Sequence, residues 1–331
     1  MSSQNTIRVL AAEDVRRALP MPDAIEAMQE AFVELSAGRT VMPVRTSVKL
    51  ADNKGEALVM PSYAKRLGNL ALKTVTLMPG NPEQGLPFIQ GMVCVFCGET
   101  GAPRAMLDGM TLTALRTGAA SGLATRLLAR ENAAKVAVFG AGVQARTQLA
   151  AVCAVRKIEQ ALVFDPNMDK AEAFAQEAHN EQGVLVEAAA TPQAALADAD
   201  VICTATIAQQ PVFADADIKP GAHINAVGSY LPHVQEIPTE TVLRSRLVVD
   251  HRESALIETG DLIIPIQLGL LTAAELHGEL GELAAGKIEG RANDEELTLF
   301  KSVGVAVQDL AAATYAFKRA EALDLGTSVP F

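Results

Sequence analysis

The 331 residues contain no Trp, with 3 Tyr and 10 Phe. An aromatic surface of the kind that stacks on sugars or bases is therefore not to be expected; packed helices and buried strands suit the composition better. Positive charge is also short. The formal net charge is −11, and an acidic surface repels phosphate backbones, which argues against nucleic acid as a partner. No run of about 18 apolar residues occurs, so no membrane span is expected. Met1-Ser2-Ser3-Gln4-Asn5-Thr6 has neither a basic nor an apolar leader region, and the expected compartment is the cytoplasm. Internal repeats and low-complexity tracts are missing. Cysteine is sparse: Cys94, Cys97, Cys153 and Cys203. Cys94 and Cys97 have the spacing of a metal or redox pair. They fall on an apolar run that reads as a strand, where residues three apart face opposite sides, and no second pair completes a zinc site. Core thiols and no metal are expected.

What is present is ample apolar material, 49% of the residues, in a length that suits two domains. Residues 11–37 read as helical, with Asp14 ahead of an amphipathic run, an interruption at Pro20 and a restart at Pro22-Asp23. Short β-rich runs follow at Val44–Leu50, Ala57–Tyr63, Leu70–Leu77, Met92–Phe96 and Ala105–Leu107, separated by Gly-, Asn- and Pro-rich turns. Thr111 to Arg130 reads as a long helix. Strand and helix patterns then alternate: strands at Lys135–Phe139, Ala161–Phe164, Val184–Glu187, Val201–Thr204, His223–Val227 and Leu247–Val249, with helices at Val143–Val155 and Asp169–Gln182. Such alternation predicts an α/β fold with a doubly wound parallel sheet. A last helix is expected from about Ser302 to Leu323.

The sharpest signal is local. Val136-Ala137-Val138-Phe139 is a short apolar strand, followed at once by Gly140-Ala141-Gly142-Val143-Gln144-Ala145 and then a helix. A strand, a G-x-G-x-x-A turn and a helix in this order bind a dinucleotide. Gly140 permits the tight turn, Gly142 lets the backbone approach a pyrophosphate, and Ala145 lets the helix pack close to the strand. The helix N-terminus offers free N–H groups and the positive end of its dipole to the phosphates. Asp165 closes the next strand, 25 residues after Gly140. A carboxylate there accepts hydrogen bonds from ribose hydroxyls and repels a 2′-phosphate, and Pro166-Asn167-Met168 offers no Arg to hold one. NAD is preferred, with NADP possible; the competing role for Asp165 is an N-cap for the next helix.

Several motifs occur together in order: Asp108-Gly109-Met110-Thr111-Leu112-Thr113-Ala114-Leu115-Arg116-Thr117-Gly118, the Gly140 turn, Ile224-Asn225-Ala226-Val227-Gly228-Ser229, Glu258-Thr259-Gly260-Asp261 and Phe300-Lys301-Ser302-Val303-Gly304. In these the chain resembles the ornithine cyclodeaminase/μ-crystallin family. The resemblance implies a homodimer. It also implies a β-rich substrate-binding and dimerisation domain (residues 1–117 with 302–331), into which a Rossmann domain (residues 118–301) is inserted. It places the substrate's carboxylate on Arg45, Lys73 and Arg116, with Lys73 also the catalytic group and Tyr230 and Val303 lining the substrate. It places the coenzyme on Arg116, Thr117, Gly140, Gly142, Val143, Gln144, Ala145, Asp165, Thr204, Ala226, Val227, Gly228 and Ser302. Cationic clamps on a carboxylate are chemically sensible. Taken alone, Arg45 and Lys73 on strands read equally as salt-bridged or solvated side chains.

This sequence departs from the cyclodeaminases at two places. Tyr230 and Leu58 stand where those enzymes carry acidic residues, so the groups that would handle an amino group during ammonia loss are missing. Members with a similar loop resemble reductases of cyclic ketimines, giving L-proline or L-pipecolate. The implied activity is therefore NAD(P)H-dependent reduction of a 2-imino acid. The alternatives are an open-chain amino-acid dehydrogenase of the alanine type, an ornithine or lysine cyclodeaminase, and a non-catalytic protein that binds NAD(P)H and a small ligand. For His233, a surface loop role outweighs that of a general acid. For Asp261, an exposed helix cap and a catalytic group are equally expected.

Overall fold

The computed structural model describes residues 6–331; Met1–Asn5, which carry most of the reading of the N-terminus, lie outside the described residues. The described residues fall into two compact units. One runs to Arg116 and includes Ala306–Phe331; the other is Thr117–Val305. Among the described residues no helix is long and apolar enough to cross a membrane.

The first unit opens with β1 (Thr6–Leu10), α1 (Ala12–Ala18) and α2 (Met21–Ser36). Pro20 separates the two helices as expected, because it lacks the N–H that would continue α1. Asp14, expected ahead of the amphipathic run, sits in the first turn of α1 and accepts from the Ala11 N–H at 3.0 Å. Helix α2 buries Ala24, Ile25, Met28 and Phe32, a stripe at the helical period. Strands β2 (Thr40–Val41), β3 (Thr46–Lys49), β4 (Glu56–Ala64), β5 (Asn69–Leu77), β6 (Ile89–Cys97) and β7 (Pro103–Asp108) follow, then α3 (Gly109–Leu128), within which the unit boundary falls. Strands β4 to β7 form an antiparallel meander, and β1 lies parallel to β7. On β6, Cys97 is buried and Cys94, facing the other way, is half-buried. Among the described residues no group of three or more His, Cys, Asp or Glu could hold a metal ion.

The second unit carries β8 (Lys135–Phe139), α4 (Val143–Val155), β9 (Gln160–Phe164), α5 (Met168–Gln182), β10 (Leu185–Ala188), α6 (Pro192–Leu196), β11 (Val201–Thr204) and β12 (His223–Ala226). It continues with α7 (Thr239–Arg244), β13 (Arg246–Val249), α8 (Arg252–Glu258), α9 (Gly260–Gln267), β14 (Gly278–Glu279), α10 (Leu280–Ala284) and β15 (Thr298–Lys301). The strand order is β10-β9-β8-β11-β12-β15-β13-β14, and each of these pairings is parallel. This is the doubly wound parallel sheet expected from the alternation. Burial follows the pleat: Ala137 and Phe139 join one apolar cluster, Val136 and Val138 the other, so both faces of the sheet are covered.

The chain returns to the first unit as α11 (Ala306–Ala322) and β16 (Thr327–Pro330), the latter antiparallel to β1. The last helix thus begins at Ala306, not Ser302. The reason is Asp250, whose Oδ2 takes the Ser302 hydroxyl at 2.8 Å, the Val303 N–H at 2.8 Å and the Gly304 N–H at 2.7 Å. Donors so held form a loop, and Gly304 supplies the positive φ of 81°. Strands β1, β2, β14, β15 and β16 were not foreseen; β2 and β14 are two residues long, β15 lies between β12 and β13, and β16 is exposed along its length.

The C-terminus of α3 is closed by a side chain. Arg156 donates to the carbonyls of Thr125, Arg126, Ala129 and Arg130 at 2.8–3.1 Å; a helix end leaves carbonyls short of donors, and here those of Thr125 and Arg130 also take the Ala129 and Ala133 N–H groups. Arg156→Met is expected to cost about 2–3 kcal/mol, read as a lower urea midpoint at unchanged slope. Arg156→Lys should recover less than half, because a point-like ammonium cannot span four carbonyls. An unchanged midpoint for Arg156→Met would mean that water caps the helix as well.

Candidate active site

In the first unit, pleating turns Asn69, Ala71 and Lys73 of β5 to one buried face, toward α11. Ser62 of β4 fixes the start of α11 by donating to the Ala306 carbonyl at 2.8 Å. Asp309, in the first turn of α11, is buried, a favoured place for a carboxylate near a helix N-terminus. Its Oδ2 lies 2.8 Å from Lys73 Nζ and its Oδ1 3.1 Å from Arg116 Nε. Arg116, on α3, also donates to Gln308 Oε1 at 3.0 Å. Lys73 and Arg116 are 3% and 6% exposed. Two buried cations therefore share one buried carboxylate. Burial pushes the Lys73 amine down to about 8; Asp309 opposes this, and the charges of Arg116 and Arg45 add to it. Arg45 lies just ahead of β3, half-buried, with its charge felt at Lys73. Lys73 and Arg116 thus meet at one carboxylate, and Asp309 and Gln308 are partners of theirs that the sequence did not disclose.

In the second unit the dinucleotide turn has the geometry its sequence demands. Gly140 has φ +95°, and a Cβ there would lie 2.7 Å from the Ala205 carbonyl. Gly142 is the N-cap of α4, and a Cβ there would meet nothing within 4 Å, so only Gly keeps that space clear. Ala145 is fully buried, as close packing requires. A cavity of about 860 Å³ opens on this turn, lined by Gly140, Ala141, Gly142, Asp165, Ala205 and Thr206 among others. These features fit a dinucleotide. Asp165 accepts from the Ala141 N–H at 3.1 Å and the Asn167 N–H at 2.9 Å. It is not the cap of the following helix; that is Asn167, which accepts from the Lys170 N–H. Val143 and Gln144 stand in the first turn of α4 without lining the cavity, while Arg146 and Lys170, which the reading of the turn passed over, do line it. Arg146 is tied to Glu177 and Glu181 and lies over the Phe174 ring.

Thr204 and Ala226 end β11 and β12, Val227–Gly228 follow β12, Ser302 follows β15, and Thr117 is buried on α3. Tyr230 is 46% exposed on the loop after β12, with His233 exposed nearby, and Val303 is half-buried. Three buried carboxylates organise this edge. Asp250 holds the segment Ser302–Gly304, as described. Asp261 is not an exposed cap: it is 1% exposed, pairs with the buried Lys301 at 2.8 Å and accepts from the N–H groups of Glu236 and Ile237. The cap of α9 is Thr259. Glu236, unmarked in the sequence, takes four donors. Burial pushes its carboxyl up, with Lys301 opposing.

The profile of the ornithine cyclodeaminase/mu-crystallin family matches residues 5–324. A Delta(1)-pyrroline-2-carboxylate reductase of Bacillus cereus is 41% identical over 324 residues, 98% of this chain and 99% of that protein. The structure of Thermococcus litoralis Delta(1)-pyrroline-2-carboxylate reductase in complex with NADH and L-proline superposes with a TM-score of 0.93 at 41% identity, over 98% of this chain and 100% of the other. An archaeal alanine dehydrogenase dimer with bound NAD gives 0.91 at 32%, over 98% and 99%.

Asp309→Asn is expected to cost about 3–5 kcal/mol, because it leaves buried cations without their anion. It should also lower the Lys73 titration below about 8, since the carboxylate that favours the ammonium is gone. NMR of the lysine ε-carbons reads this directly, and an unshifted titration would disprove the pairing.

Proposed function

The chain belongs to the ornithine cyclodeaminase/mu-crystallin family, and from that premise we propose that it reduces the C=N bond of a cyclic 2-imino acid. The substrate is Δ1-pyrroline-2-carboxylate or Δ1-piperideine-2-carboxylate, the product L-proline or L-pipecolate, and the reductant NADH. The observation that carries this reading is the pair of buried cations, Lys73 and Arg116, on a single carboxylate. Buried charge is costly unless paired, and a ligand carboxylate supplies a second anion. Arg45, Lys73 and Arg116 hold that carboxylate, Arg116 by the fork geometry of its guanidinium. When bound, the reduced nicotinamide supplies a hydride to the imine carbon. The ring nitrogen gains one proton, which Lys73 gives as an ammonium at pH values below about 8. Leu58 and Tyr230 offer no carboxylate for ammonia loss, which favours reduction over cyclodeamination; Tyr230 and Val303 are proposed to bound the substrate.

The coenzyme is proposed to rest on Gly140, Gly142, Val143, Gln144 and Ala145 at the pyrophosphate, and on Asp165 at a ribose. Arg116, Thr117, Thr204, Ala226, Val227, Gly228 and Ser302 complete its site. Asp165 supports NAD over NADP. Arg146 also lines the cavity, but Glu177 and Glu181 already answer its charge. The first unit is read as the substrate-binding and dimerising domain and the second as the coenzyme domain, in a homodimer within the cytoplasm. The exposed apolar side chains on the outer face of the first unit's sheet support dimerisation: Leu70, Met92 and Met106 on neighbouring strands, with Val48.

A panel of imino and oxo acids tests the activity. Turnover of Δ1-pyrroline-2-carboxylate with NADH is expected, faster than with NADPH. Turnover of pyruvate with ammonia, and none of the cyclic imine, would transfer the assignment to an open-chain amino-acid dehydrogenase. Lys73→Met should lower kcat by about 10²–10⁴. In the unaltered enzyme kcat/KM should fall as pH rises through about 8, since deprotonation removes both a carboxylate ligand and a proton source.

A further inference from the structure

Glu236 lies on the segment between β12 and α7, fully buried. Its Oε1 accepts from the Thr206 N–H at 2.8 Å and the Thr206 hydroxyl at 2.7 Å. Its Oε2 accepts from the Thr204 hydroxyl at 2.8 Å and the Gly228 N–H at 2.9 Å. The two backbone N–H groups have no proton acceptor's role to exchange, so each oxygen faces an obligatory donor. Each oxygen thus accepts from one N–H group, which can only donate, and from one hydroxyl. One side chain thus ties the loop after β11 to the loop after β12.

The anchor is itself fixed from behind. Asp261 accepts the backbone N–H of Glu236 at 2.7 Å, and Lys301, at the end of β15, pairs with Asp261. The surroundings allow no slack. A Cβ on Gly228 would fall 2.3 Å from Glu236 Oε1, and one on Gly260 would fall 2.3 Å from the Val234 carbonyl. The network therefore runs from β15 through α9 to the ends of β11 and β12.

The place of these loops in the sheet gives them a purpose. The pyrophosphate turn follows β8, and Asp165 follows β9, on one side of it. A dinucleotide crossing the strand ends at the switch point puts its adenosine half on the β9 side and its other half toward β11 and β12. Thr206, which gives two donors to Glu236, lines the cavity that Asp165 also lines, while Gly228 stands just past the end of β12, farther from β9.

We propose that Glu236 is a positioning residue for the coenzyme: its carboxylate clamps the loops after β11 and β12 into one surface and so shapes the subsite for the nicotinamide half. The inference rests on the coenzyme reading above. It predicts a split between the two halves of the ligand. Glu236→Gln keeps the shape but turns one acceptor into a donor that faces the Gly228 or the Thr206 N–H, so at least one loop must move.

The test is binding of NADH, by its fluorescence enhancement and by calorimetry, beside binding of ADP-ribose, which lacks the nicotinamide. In Glu236→Gln the Kd for NADH should rise about tenfold or more, with that for ADP-ribose changed less than about twofold. Equal weakening of both ligands, or of neither, overturns the proposal, because a general structural role does not distinguish them. Should Glu236→Gln fail to fold, Thr206→Val decides: it removes one donor, and selective loss of NADH affinity supports the proposal while equal affinities overturn it. Failure of the unaltered protein to bind NADH would instead refute the coenzyme reading, and the proposal with it.

Discussion

Asp309 is the anion on which the first unit's chemistry depends. Two cations have been taken out of water beside it, and the carboxylate reaches both, one with each oxygen. Desolvation of each charge costs several kcal/mol, and one anion cannot compensate two cations fully. The imbalance leaves its mark on the weaker base: Lys73 is pushed down to about 8 while it still touches a carboxylate. Arg116 differs from it in shape, a planar fork rather than a single ammonium. The pair is thus divided by chemistry as well as by place. Arg116 is a fixed guanidinium, suited to holding a carboxylate, and Lys73 is an ammonium that can part with a proton near neutrality.

The second unit uses buried carboxylates differently. Asp250, Asp261 and Glu236 accept mostly backbone N–H groups and hydroxyls at the C-terminal ends of parallel strands. Loops at such an edge have no ladder to satisfy their N–H groups, and each one buried without an acceptor would be costly. A carboxylate accepts several donors at once, so one side chain fixes two loops. Asp200 does the same at the opposite end of the sheet, accepting the Ala134 and Lys135 N–H groups beside Arg130 and Lys219. The sheet is rigid in its strands by pairing and at its ends by these carboxylates.

Legibility in the sequence followed the range of the interaction. The turn from Gly140 to Ala145 is a local device: strand, glycines and helix are contiguous, and each residue's reason is contained within a few neighbours. The strand and helix alternation is legible for the same cause. Lys73 and Arg116 came into view through resemblance rather than through their own surroundings, since a charged residue on a strand is ambiguous until its partner is known. Asp309 stands 193 residues from Arg116 in the chain, and nothing near it marks it as a partner. Glu236 lies among Gln235, Ile237 and Pro238 with no motif around it. Asp261 belongs to a motif that leaves an exposed cap and a catalytic group equally open, because its burial depends on Lys301, brought in by a distant strand. The start of the last helix was misplaced for a related reason: the pattern from Ser302 onward suits a helix, but Asp250 diverts the first donors into a loop.

The glycines illustrate the same division between local and distant causes. Gly140 is required by its own backbone conformation, and Gly142 by the open space a ligand needs; both reasons belong to the turn itself. Gly228 and Gly260 have neither positive φ nor an open front. They are small because other atoms press on them, a carboxylate oxygen in one case and a carbonyl in the other. A glycine in a motif thus carries two different messages. At Gly142 it marks space left open before the helix N-terminus; at Gly228 it marks where the protein's own Glu236 has come close. A pattern reading treats both alike, and only the atoms pressed against the second identify the carboxylate that requires a glycine there.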